Sequence, residues 1–88
     1  MAKIAWTKDS IEFFLEYAHM TKSQREVFDT RLAEMTRTEA ALKLHISERT
    51  YDYRVAEIKE KYDILQQRYP DRLPKRYVSE KEKYMDNN

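Results

Sequence analysis

Thr36-Arg37-Thr38-Glu39-Ala40-Ala41-Leu42-Lys43-Leu44-His45-Ile46-Ser47-Glu48-Arg49-Thr50-Tyr51 is the stretch on which the fold turns. Thr36 followed three residues later by Glu39 is a capping box, the signature of a helix start. That helix carries Ala40, Ala41 and Leu44 on one face. Ser47 is a second N-cap residue, and only His45 and Ile46 separate it from the helix before. Two start signals this close predict two helices joined by a tight turn, the spacing of a helix-turn-helix. Such a joint needs a small residue where the helices cross, and Ala41 supplies it. It needs an apolar plug in the turn, and Ile46 is placed for that. Leu44, Tyr51 and Val55 close the small core around it.

Outward from this stretch the chain reads as helix in both directions. Upstream, Thr21 and Gln24 form another capping box, opening a helix through Val27, Phe28, Arg31, Leu32 and Met35. Further upstream, Thr7 caps a first helix expected over Lys8 to His19. Ile11, Phe14, Leu15 and Ala18 form its apolar stripe, and Phe13 and Tyr17 widen it. Downstream, Tyr51, Val55, Ile58, Tyr62, Leu65 and Tyr69 recur at spacings of four and three, which predicts one long helix. Pro70 ends it, because a proline pushes the residue before it out of helical geometry. The distal half of this stripe is expected to be covered by the first helix folding back. The alternative is a homodimer seam, formed there or through Trp6, Phe13 or Tyr17.

Composition narrows the classes. The chain has 88 residues, no glycine, no cysteine and two prolines. Its length suits one domain with a modest core. Without cysteine there is no disulfide framework, zinc ribbon or thiol nucleophile. Mean hydropathy is −0.97, and no apolar run approaches the roughly 20 residues that span a bilayer. No signal peptide is recognisable at the start, so a cytoplasmic location and no membrane partner are expected. His19 and His45 stand alone, which argues against a metal site. The carboxylates are spread among lysines and arginines, as in Glu57 and Lys61, a pattern of solvated helix pairs rather than acid–base catalysis. An enzyme is therefore not expected, nor a cofactor. Charged residues make up 38% of the chain, yet the formal net charge is only +1. That is low for a free-standing nucleic-acid binder, so local placement of charge matters.

The run Ile46-Ser47-Glu48-Arg49-Thr50 resembles the turn and recognition-helix start of LuxR-type DNA-binding domains and the related fourth domain of sigma factors. Met20-Thr21 with Gln24-Arg25-Glu26-Val27-Phe28 is similar to that family's opening helix. Met35-Thr36 with Glu39-Ala40-Ala41 is similar to its scaffold helix. The likeness covers roughly residues 20–62. The sequence departs from the family at His45 and Glu34, where glycine is common, and at Asp52 and Tyr53, where basic or amide residues are frequent. A histidine tolerates positive φ better than most residues.

The resemblance implies an all-α fold: a small helical bundle with a central helix-turn-helix and a long C-terminal recognition helix. Residues 1–70 would form the domain, with residues 71–88 a polar, partly disordered tail. It implies binding of double-stranded DNA, with Glu48, Arg49, Asp52 and Tyr53 facing the bases in the major groove. Asp52 could equally hold Arg49 or Lys59 in place. Thr36, Arg37, Thr38, Thr50, Arg54 and Lys59 would face phosphates. A small transcriptional regulator is the function expected, with encoding by a phage or mobile element one option for its origin. The alternatives are a protein-interaction module contacting RNA polymerase or another regulator, and a DNA-packaging protein of the small-terminase kind. The basic, tyrosine-bearing stretch Arg68 to Tyr77 is a further candidate for phosphate contact.

Overall fold

The structure, a computed structural model, describes residues 6–75. It is built from four helices: α1 (Lys8–Tyr17), α2 (Lys22–Leu32), α3 (Arg37–Leu44) and α4 (Glu48–Arg68). No strand occurs among the described residues. None of these helices is long and apolar enough to cross a membrane.

Each helix starts where a side-chain oxygen takes up an orphan backbone N–H. Thr7 Oγ1 accepts from the Ser10 N–H at 3.1 Å, and Ser10 Oγ accepts from the Thr7 N–H at 2.8 Å. Thr21 and Gln24 exchange the same pair of bonds, both at 3.1 Å. Thr36 and Glu39 do so at 3.2 and 3.3 Å. Ser47 Oγ accepts from the Thr50 N–H at 3.0 Å. The Thr7–Ser10 box opens α1, which ends at Tyr17 with Ala18 as its C-cap, short of the expected His19. His19 lies in the left-handed region at φ 51°.

The ends of α2 and α3 are alike. Glu34 and His45 each sit at φ 57°. Beyond them, the Met35 N–H donates to the Thr30 carbonyl and the Ile46 N–H to the Ala41 carbonyl, both at 3.1 Å. These bonds close the last turn in the Schellman manner, which requires a left-handed residue at the exit.

One continuous core holds the helices together. Phe13, Phe14, Val27, Phe28, Ala40, Ala41, Tyr51, Ile58, Tyr62 and Leu65 are all buried in it. The α4 stripe thus serves the core for four turns. Its distal half is covered by α1: the Phe14 ring lies 5.6 Å from that of Tyr62, and the Phe13 ring 5.2 Å from that of Tyr69. Trp6 packs on Phe14, Phe28 and Tyr62 with ring centroids 5.4–5.5 Å apart. Trp6 and Phe13 are therefore occupied within the chain rather than free as a dimer seam. Tyr17 stays half-exposed, against Phe13 and Tyr69.

Two features differ from expectation. The fold does not stop at residue 70. Leu73 is buried to 1% exposure, and the Tyr62 hydroxyl donates to the Pro74 carbonyl. Arg72 also lies over the Phe13 ring at 4.7 Å. The first residues of the expected polar tail are thus part of the packed domain, because one leucine in a polar run is buried in the core. The rest of that tail, and with it Arg76 and Tyr77, lies outside the described residues. Lys61, expected to pair with Glu57, instead donates to the His19 carbonyl at 3.1 Å and to Gln24 Oε1 at 2.8 Å. It ties α4 to the joint between α1 and α2.

Candidate nucleic-acid interface

The joint between α3 and α4 is set by packing beneath it. Ala40 and Ala41 are buried at the crossing, and Leu44, Ile46 and Val55 pack against the core from its rim. Tyr51, 1% exposed, reaches across to α2, where its hydroxyl lies 3.2 Å from Thr30 Oγ1. Thr30 in turn donates to the Val27 carbonyl at 2.6 Å. This chain fixes the rotation of α4. At about 100° per residue, the buried Tyr51, Ile58, Tyr62 and Leu65 define an inward direction, and Arg49, Tyr53 and Ala56 fall on the opposite side. All three are exposed, Tyr53 at 69%. The first turns of α4 are not covered by α1, which meets α4 further along, at Tyr62 and Tyr69.

Glu48 and Asp52 sit on the flank of α4 that faces α3. There the structure brings them onto the start of α3. Arg37 meets Asp52 with two nearly parallel contacts, Nε to Oδ1 at 2.9 Å and Nη2 to Oδ2 at 2.7 Å. Its Nη1 stands 4.0 Å from Glu48 Oε2. The Thr38 hydroxyl donates to Glu48 Oε1 at 2.6 Å. Asp52 is thus held by Arg37, and not by Arg49 or Lys59. Among the described residues, Arg49 takes part in no ion pair or side-chain hydrogen bond.

The other residues expected at a phosphate are less uniformly placed. Thr36 and Thr38 are exposed at the start of α3, with the Thr36 hydroxyl committed to its cap. Thr50 is half-buried, and its hydroxyl accepts from Ser47 at 2.9 Å. Lys59 is half-buried, already engaged, and on the same flank of α4 as Asp52. Arg54 falls about 140° around the helix from Arg49, beside the core, and is half-buried. It does not share a face with Arg49 and Tyr53.

Known protein families, characterised proteins and solved structures offer no match to this chain. Residues 36–59 carry five basic groups (Arg37, Lys43, Arg49, Arg54, Lys59) against four acidic ones (Glu39, Glu48, Asp52, Glu57). With Asp52 neutralised by Arg37, the outward face of α4 presents one unpaired guanidinium beside one exposed phenol. A guanidinium offers a planar fork of donors, suited to a phosphate or to the O6 and N7 of guanine. A phenol offers a ring to stack and a hydroxyl to share. Among the described residues no three His, Asp or Glu side chains converge as metal ligands would.

Proposed function

We propose that the protein binds double-stranded DNA in a sequence-dependent way, with α4 in the major groove and the start of α3 against the backbone, and acts as a small transcriptional regulator. The observation that carries this reading is the outward face of α4 with Arg49 and Tyr53, exposed among the described residues, on a helix whose rotation is fixed by Tyr51 beneath it. A major groove about 12 Å wide admits one helix, and side chains on its first turns reach base edges. Thr36, Thr38 and Thr50 stand where backbone contacts set orientation, and Lys59 extends that set along α4.

The test is selection of bound sites from random duplex, followed by a salt titration of the selected site. Enrichment of a defined sequence is expected. Log affinity should fall with log salt by about 0.9 per phosphate neutralised. No enrichment, together with affinity indifferent to salt, refutes the proposal.

A second reading is favoured by the engagement of Glu48 and Asp52 on this surface. Near-neutral charge with paired acids suits a protein partner such as RNA polymerase. Capture of polymerase by a chain that ignores duplex would select it. A ring-shaped oligomer that binds duplex would point instead to DNA packaging.

A further inference from the structure

We propose that Arg37 is a positioning residue for base recognition: it holds the Asp52 carboxylate off the base edges, so that Arg49 and Tyr53 read the groove unaided. This rests on the duplex-binding reading given above. The geometry carries it. Both Asp52 oxygens accept from one guanidinium, at 2.9 and 2.7 Å. In this fork arrangement the carboxylate is oriented by two bonds at once. Recognition of cytosine through its N4 amino group needs a carboxylate oxygen turned to the groove, and here both are turned to α3. Glu48 is drawn the same way by the Thr38 hydroxyl at 2.6 Å.

Charge points in the same direction. An arginine that left Asp52 for a phosphate would gain one attraction and leave a bare carboxylate beside the polyanion. The two changes oppose each other, so the pair is retained on the duplex. Arg37 therefore acts through Asp52 and not through the DNA backbone. Arg49, lacking an acidic partner, keeps its full fork of donors for guanine.

The experiment is site selection with the full chain as wild type, R37A, D52N and R37A/D52N, each first checked for native helix content by circular dichroism. D52N should keep the wild-type base preference. R37A should acquire a new cytosine preference at one position, on the order of tenfold. R37A/D52N should return to the wild-type preference, which a merely structural or phosphate-binding arginine would not predict. R37K keeps the charge but loses the fork, and should show the same new preference if R37A fails to fold. A uniform loss across all sequences for R37A, with no new preference in R37A or R37K, overturns the proposal and makes Arg37 a phosphate contact. Loss of a wild-type preference in D52N alone overturns it differently, by making Asp52 a reader. If wild type enriches no sequence and ignores salt, the duplex-binding reading itself has failed, and this inference with it.

Discussion

Replacing Phe14 with alanine tests whether α1 is part of the fold or an appendage to it. Phe14 is fully buried, and its ring sits 5.3–5.6 Å from those of Trp6, Phe28 and Tyr62. It is thus the point where α1, α2 and α4 meet. Truncating a buried phenylalanine costs about 3–5 kcal/mol, from lost transfer energy and the cavity left behind. A chain of this size holds about 4–13 kcal/mol in total, at roughly 0.05–0.15 per residue. The variant should therefore lose about a quarter or more of its stability. At about 4–8 °C per kcal/mol, its melting temperature should drop by about 12–40 °C. Thermal and urea unfolding followed by circular dichroism at 222 nm will measure this, with exposed Glu16→Ala as a control expected within about 0.5 kcal/mol. A loss below about 1 kcal/mol would mean that α1 does not pack on α4, and the account of the core would be wrong.

Leu73→Ala should cost about 2–5 kcal/mol in the same assay, because Leu73 is as buried as Tyr51 and Tyr62; a neutral result would return it to a solvated tail. Ser47→Ala removes the cap of α4 and should cost about 0.5–2 kcal/mol, with Ser47→Asp close to wild type in urea titration. Arg49→Ala should relax base preference at one position, a loss of about 1–3 kcal/mol of discrimination read by competition binding. Tyr51→Phe should cost about 0.5–1.5 kcal/mol in urea unfolding by removing its hydroxyl from Thr30, and an unchanged midpoint would show that the bond contributes nothing.

What the sequence made legible was local. Capping boxes at Thr21 and Thr36 and the Ser47 cap mark helix starts within four residues, so the pattern can be read directly. The α4 stripe could be read because helical spacing repeats it. Positive φ at His45 was legible only through the resemblance, which has glycine at that position, and histidine tolerates that region better than most residues. Features joining distant residues were not. Helical spacing brings charges three, four or seven apart onto one face, which suggested Glu57 with Lys61 and Arg49 or Lys59 with Asp52. The actual partners are fifteen residues apart for Arg37 and Asp52 and thirty-seven for Gln24 and Lys61, set by how α3 and α2 lie against α4. Leu73 was hidden for a related reason: it follows Pro70, where the helical period ends, so its spacing from Tyr69 assigns it to no face. At the candidate site, the outward placement of Arg49 and Tyr53 followed from the stripe opposite them, whereas the capture of Glu48 and Asp52 by α3 depended on the crossing of two helices.

The three left-handed residues, His19, Glu34 and His45, have a consequence for how this chain can change. The chain turns at the exits of α1, α2 and α3 without a single glycine to ease the bend. A residue with a Cβ gives up about 1–2 kcal/mol in that conformation, and glycine would give up less there while gaining disorder when unfolded. These elbows are therefore reserves of unused stability, set apart from both the core and the outward face of α4. A lineage or an engineer could draw on them to tolerate a damaging substitution elsewhere, leaving the surface that meets a partner as it was.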